Sequence, residues 1–303
     1  MRKTLVVYDA MYSDWILAGI AKDIYNYIIE PKKLFVFSGY HYKSYIKILI
    51  LLLVANKIIF VNQSTLRRTR IPSFILKTRD VLVFYSHTNF SIDKFTLKQL
   101  KSVNKIIVMN QAESSNLMRL GINAKNIIIK PVGIDFEIFK PLNKHELNTV
   151  VMVSQLHSRK RPELILKVVK FLPNYKFILI GKKWDESEYL YNLQRLTNFE
   201  YVKFDFKTYV SELNRGTVFL SLSSLEGGPM PILESMACGL VPVATVTGWA
   251  PDLIQDGENG VLIPVDCELD AIKIALEKAF EIDSSKVRSS IETFTLQSFL
   301  SEF

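Results

Sequence analysis

The sequence predicts an α/β protein made of two doubly wound parallel-sheet domains. Three observations lead there. A chain of 303 residues that is 49% apolar can fill two cores of about 150 residues each. Short β-branched runs alternate with helical patterns, the arrangement of parallel strands covered by helices. This alternation runs twice, and between the two series lies Pro141 to Asn148, whose proline, mixed charges and low apolar content mark a linker.

In the first series, Thr4 to Tyr8, Leu34 to Phe37, Lys57 to Val61, Val81 to Tyr85, Lys105 to Met109 and Asn126 to Ile129 read as strands. Helices fit between most of them, among them Asp14 to Ile29 and Ser44 to Ala55. The second series comprises Thr149 to Ser154, Lys176 to Ile180, Tyr201 to Phe204, Val218 to Leu222, Val241 to Ala244 and Val261 to Ile263. The expected domains are 1–145 and 146–303, with the last helix crossing back to the first. Doubly wound domains carry their functional loops at the carboxyl ends of the strands, so the expected site is a cleft between them.

Composition narrows the function classes. Cys238 and Cys267 stand apart without CxxC or Cys/His spacing, against a disulfide framework or a structural zinc site. The opening MRKTLVVYD has neither the apolar core nor the cleavage site of a secretory signal, and the most apolar run, Ile48 to Ala55, falls short of the roughly 20 residues a membrane span needs. A reducing, cytoplasmic setting is expected. Charge is uneven: residues 1–148 hold 22 Lys/Arg against 10 Asp/Glu, and residues 149–303 hold 16 against 20, so +12 and −4 make up the net +8. A basic half suits an anionic membrane, a phosphorylated substrate or nucleic acid. No recognition-helix, RNP-like or zinc-finger pattern accompanies the charge, which argues against nucleic acid.

The segment Ser221 to Thr245, SLSSLEGGPMPILESMACGLVPVAT, takes a strand through a glycine-rich turn into a helix. Pro231 suits the first helical turn, where its missing N–H is not needed. The backbone at Gly228 to Met230, where the helix starts, and the positive end of the helix dipole can hold a diphosphate, and Gly227 and Gly228 let a ligand approach the backbone. Glu226 precedes the helix and Glu234 lies about one turn into it. One carboxylate can face a sugar and the other a ribose; alone, the two also fit a solvated helix start.

Glu226 and Glu234 are separated by seven residues and followed by Ser-Met-Ala-Cys-Gly-Leu-Val-Pro-Val-Ala at 235–244, Gly248, and Asp252 to Pro264 (DLIQDGENGVLIP). This series resembles the glycosyl transferases group 1 family, also called glycosyltransferase family 4. Residues 102–141 resemble the same family's last strands of the first domain and its turn into the second, here Gly133, Ile134, Asp135, Phe139 and Pro141. The resemblance implies the GT-B fold, two Rossmann-like domains facing a central cleft, and transfer with retention of anomeric configuration. The implied donor is a nucleotide-sugar such as a UDP- or GDP-sugar, and the implied acceptor a saccharide or lipid-linked molecule.

Carried over position by position, the resemblance implies that Lys160 neutralises the donor diphosphate, Glu226 orients the sugar and Glu234 binds the ribose. Gly227, Gly228, Pro229 and Met230 contribute backbone, and Gly181 lies near the base. His87, after a predicted strand, matches a family histidine beside the sugar, although a lone histidine there also fits a loop or core role. Gln155 stands where the family has an arginine, a charge that Arg159 or Arg161 could replace. The turn Asp9 to Asp14 lacks the family's paired glycines. Neither a cofactor nor a metal is implied: Asp135 and Glu137 share one turn, and no Asp-x-Asp follows a strand elsewhere.

Two basic stretches remain. Leu66 to Arg79 carries Arg67, Arg68, Arg70, Lys77 and Arg79, and Tyr42 to Lys57 carries Lys43, Lys47 and Lys57 beside large apolar residues. Both fit a solvated face, or docking on anionic lipid at the cytoplasmic side of a membrane. Trp184 and Trp249 fit sugar or base stacking or a core edge, whereas Met230, Met236 and Cys238 read as packing residues. Two other functions fit the same fold: a catalytically inactive sugar-nucleotide-binding protein, and a nucleotide-sugar epimerase acting on the donor alone.

Overall fold

The computed structural model describes residues 3–9, 16–38, 42–85, 92–142 and 144–303. The chain divides into two units, residues 1–131 with 297–303, and residues 132–296. In the first unit the order is β1 (Thr4–Asp9), α1 (Ile16–Tyr27), β2 (Lys32–Phe37), α2 (Tyr42–Val54), β3 (Lys57–Phe60), α3 (Gln63–Thr69), α4 (Ser73–Leu76), β4 (Asp80–Tyr85), α5 (Lys94–Leu100), β5 (Lys105–Val108), α6 (Gln111–Arg119) and β6 (Ile127–Ile129). In the second it is β7 (Thr149–Gln155), α7 (Pro162–Phe171), β8 (Lys176–Lys182), α8 (Glu188–Leu193), β9 (Phe199–Lys203), α9 (Phe206–Leu213), β10 (Val218–Ser221), α10 (Met230–Ala237), β11 (Val241–Thr245), α11 (Ala250–Leu253), β12 (Val261–Ile263), α12 (Leu269–Glu281) and α13 (Ser284–Ser289). A last helix, α14 (Leu296–Leu300), leads the chain back into the first unit.

Each unit holds one six-stranded sheet, in the orders β2-β1-β3-β4-β5-β6 and β12-β11-β10-β7-β8-β9. All the strand pairings are parallel, for example Val6 opposite Leu34 and Ile59, and Val151 opposite Ile178 and Phe219. Strands covered by helices on both faces need continuous apolar runs, and these have them: Leu5 to Val7, Ile58 to Phe60, Ile106 to Val108, Val150 to Met152 and Phe177 to Ile180 are all buried. Polar residues close the helix starts. Asn62, Asn110 and Asp205 accept from the backbone N–H groups of Ser64, Glu113 and Lys207 at 2.7, 2.8 and 3.0 Å.

The units divide at Pro131/Val132 rather than at 145/146, because the expected linker finds polar partners on the second unit. Asn214 accepts from the Leu142 N–H at 2.8 Å and donates to the Lys140 carbonyl at 3.2 Å, and the His145 ring meets the Gly216 carbonyl at 2.9 Å. Glu146 pairs with Arg215 and Lys176 at 2.6 and 2.7 Å. Strand β9 begins at Phe199, two residues before its expected start, and Phe204 instead packs its ring 5.0 Å from that of Tyr209.

Much of the basic excess of the first unit is engaged internally. Arg68 pairs at 2.5 Å with buried Asp9, Arg79 donates to the Leu52 carbonyl at 3.2 Å, and Arg70 stacks 5.7 Å from the Phe95 ring. Lys57 bonds the Phe303 carbonyl, and Lys105 and Lys130 reach Glu302 and Ser298, so three lysines hold the returning C-terminal segment. The 66–79 stretch is therefore largely architectural. No helix among the described residues is long and apolar enough to cross a membrane.

Candidate active site

In the second unit the chain runs outward from β7 through β8 to β9, then returns to the other side of β7 to lay down β10, β11 and β12. The reversal falls between β7 and β10, and loops that diverge at such a point leave a crevice at the carboxyl ends of the strands. The loops after β7, β10 and β11 meet there. Ser224 donates its N–H and its hydroxyl to the Arg159 carbonyl at 2.8 and 3.2 Å, tying the first loop to the second. Thr245 Oγ1 donates to the Ser223 carbonyl at 2.6 Å, and Trp249 Nε1 to the Pro229 carbonyl at 3.2 Å, tying the second to the third. Gly248 sits at φ +57°, and a Cβ there would stand 2.5 Å from the Gly227 carbonyl oxygen and 2.9 Å from Glu226 Cβ. Only glycine allows that approach without displacement.

Glu226 is at the centre of this knot, with 7% of its side chain exposed. Arg159 Nη1 lies 2.6 Å from Glu226 Oε2 and also donates to the Leu225 carbonyl at 3.1 Å; Lys160 Nζ pairs with Glu226 Oε1. The local chain explains the split of the Arg-Lys-Arg run. His157 caps a single 3₁₀ turn over Ser158–Lys160, and Arg161 then takes a left-handed conformation, φ +53°, that starts α7 at Pro162. Arg161 consequently points away and donates to the Val265 carbonyl. Of the two candidates for the missing arginine charge, Arg159 reaches the site and Arg161 does not. Burial opposes a charged Glu226, but the Lys160 and Arg159 charges outweigh it and hold the carboxyl below its ordinary range. Burial also lowers the pKa of Lys160, against the pull of Glu226.

Glu234 lies on α10, whose start at Met230 follows Pro229 in extended conformation, with Pro231 in the first turn. Tyr209 Oη donates to Glu234 Oε2 at 2.5 Å. Burial pushes this carboxyl up to about 7, with the Tyr209 hydrogen bond working in the opposite direction. The Tyr209 ring is fixed between Phe139 and Phe204, at centroid distances of 6.1 and 5.0 Å. Sequence reasoning missed Tyr209, because nothing in a separation of 25 residues signals contact.

The other expected positions are distributed as follows. Gln155 ends β7 opposite Lys182. The Gly181 carbonyl accepts from the Phe204 N–H at 2.9 Å and the Tyr201 hydroxyl at 3.2 Å, and a Cβ at Gly181 would meet Trp184 and Tyr201 at 2.8 Å, so its small size serves packing. Trp184 and Trp249 are fully buried core residues, as are Met236 and Cys238. His87 and the 10–15 turn lie outside the described residues. Among the described residues, no group of three or more His, Cys, Asp or Glu side chains is arranged to hold a metal ion.

The family model for glycosyl transferases group 1 matches residues 134–293, more than half of the chain and all of the loops just described. The chain belongs to this family. One relative is a phosphatidylinositol N-acetylglucosaminyltransferase component of Arabidopsis thaliana, 26% identical over 190 residues, which cover 58% of this chain and 41% of that protein. The chain spans about half the length, 41% to 54%, of the curated relatives it matches. Among solved structures, the lipopolysaccharide outer core galactosyltransferase WaaB superposes with a TM-score of 0.75 at 15% identity, covering 99% of this chain and 98% of its own. Anabaena HepE in complex with UDP and glucose does so with a TM-score of 0.80 at 16% identity, covering 100% and 98%. These likenesses establish the GT-B fold for this group 1 chain.

Proposed function

We propose that the chain is a retaining, metal-independent glycosyltransferase that moves a sugar from a nucleotide donor to a saccharide or lipid-linked acceptor at the cytoplasmic face of a membrane. The observation that carries this reading is the convergence of Arg159 and Lys160 on Glu226 at the reversal of the second sheet. Two cations held by one buried carboxylate form a site for a dianionic group: an entering diphosphate takes over the cations and frees Glu226 to accept hydroxyls of the sugar. Departure of the nucleotide builds negative charge on the leaving phosphate, which Lys160, Arg159 and the N–H groups of Gly228 and Met230 stabilise. A cationic loop and a helix start can supply that stabilisation without a metal. The leaving phosphate oxygen then takes the acceptor proton on the face the acceptor attacks, which gives retention. The binding of UDP and glucose by HepE, on the same fold, supports a nucleotide-sugar donor.

Incubation with a panel of nucleotide-sugars and lipid-linked or saccharide acceptors, followed by NMR of the product anomer, tests this. Acceptor-dependent transfer with retention supports it. Epimerisation of the donor without acceptor, or nucleotide binding without any transfer, replaces it with the epimerase or the inactive binding-protein reading.

The ribose assignment carries a pH dependence. Glu234 accepts ribose hydroxyls as a carboxylate through the oxygen that Tyr209 leaves available, so donor affinity should be flat in alkaline solution and fall up to about tenfold per unit below pH 7. In Tyr209→Phe, loss of a hydrogen bond that lowers the pKa should move the midpoint to higher pH. Calorimetric donor titration at several pH values checks both, and a pH-independent affinity defeats the assignment.

A further inference from the structure

The outer face of α2 has the opposite character to that of an ordinary surface helix. Ile48 and Leu52 face the core, and Tyr45 sets its ring edge-on to Phe37 at 5.1 Å. The outward side carries Tyr42, Ile46, Leu49, Ile50, Leu53 and Val54, each between 46% and 77% exposed. At 100° per residue, the first five of these fall within an arc of about 100°. Exposed Lys43 and Lys47 border one edge of that arc, Lys47 with its ammonium 5.7 Å from the Phe35 ring centre; Arg79 lies at the C-terminal end of the helix through its bond to the Leu52 carbonyl, and α2 contains no acidic residue. A contiguous apolar stripe of this kind on an otherwise well-packed unit marks an interaction surface.

We propose that α2 is an in-plane membrane anchor: its apolar stripe lies in the headgroup region of a bilayer, and Lys43 and Lys47 contact anionic lipid. Charge complementarity selects this occupant. A second copy would bring the same face with the same lysines against it, placing like charge near like charge, because an isologous contact pairs a patch with itself. An anionic leaflet meets the lysines with opposite charge, and the +12 of residues 1–148 adds long-range attraction. Thirteen residues of helix extend about 20 Å, enough to lie in the interface and too short to span it. The assignment moves docking from the largely engaged 66–79 stretch to α2. It deepens the membrane-side part of the reading above, and its test does not depend on turnover.

The test is co-sedimentation of the full chain with vesicles of phosphatidylcholine alone or mixed with phosphatidylglycerol. Wild type should bind the mixed vesicles strongly and the neutral ones weakly, with binding that weakens as salt rises. Leu49→Ser/Leu53→Ser should lower partition by about tenfold or more per leucine, and Lys43→Gln/Lys47→Gln by about fivefold per lysine on the mixed vesicles only. Both pairs are exposed, and an unchanged circular dichroism melt confirms folding. Lys160→Ala should bind vesicles like wild type, which separates docking from transfer. Absence of vesicle binding, equal binding to neutral vesicles, an unaffected leucine variant, or a solution dimer that this variant dissociates would overturn the proposal.

Discussion

Lys160→Ala is expected to lower kcat for glycosyl transfer by about 10²- to 10³-fold, the effect of removing one preorganised group that faces charge developing in a transition state. Lys160 is 15% exposed at its side chain and sits against Glu226, so its charge acts where water screens it little. The donor diphosphate is already charged before reaction, and the donor KM should therefore rise too, by less than kcat falls. The fold should survive, because Arg159 still compensates the buried Glu226 at 2.6 Å. Steady-state kinetics on the purified variant, with its thermal midpoint as a control, measure all three. An unchanged kcat would show that Lys160 does not face the leaving group.

Gly248→Ala should combine the second largest loss of activity with a clear loss of stability. The left-handed backbone costs an alanine about 1–2 kcal/mol, and the contacts at 2.5 and 2.9 Å force the 226–227 turn aside, adding a comparable overpacking term of about 1–3 kcal/mol. A shift of about 1 Å at Glu226 should reduce kcat/KM by up to about 100-fold. Gly257 supplies the control. It has φ +80° but nothing within 4 Å of the point a Cβ would occupy, so Gly257→Ala should lose only the backbone term and keep full activity. Denaturant melts and kinetics on both variants decide the matter: equal activity losses would mean that the approach of Gly248 to Glu226 has no catalytic consequence.

Both effects depend on contacts that the sequence signals only in part. The two sheets were legible because buried parallel strands such as Ile58 to Phe60 and Phe177 to Ile180 are uninterrupted apolar runs. Glu226 and Glu234 stand out as candidates by their spacing within a long series of matching residues, and Lys160 as the counterpart of a family lysine in a separate loop. The choice between Arg159 and Arg161 was not legible, since it depends on one residue entering the left-handed region and swinging its side chain toward Val265. Nor was Tyr209, whose hydroxyl meets Glu234 only when the fold brings these two residues of α9 and α10 within hydrogen-bonding reach. The division at Pro131/Val132 was hidden for a related reason. A polar, proline-containing stretch reads as a free linker, yet side chains of the distant Asn214 and Arg215 bind it to the second unit.

Both the proposed transfer and its pH dependence require the second unit to bind a nucleotide-sugar through Lys160, Arg159, Glu226 and Glu234. Calorimetric titration of the protein with UDP, GDP, ADP and their sugars, in EDTA, tests that requirement most directly. One nucleotide series should bind with the metal chelated, more weakly in Lys160→Ala and with a sharply raised Kd in Glu234→Ala. Absence of binding by every nucleotide, or binding that Glu234→Ala and Lys160→Ala leave untouched, would contradict it.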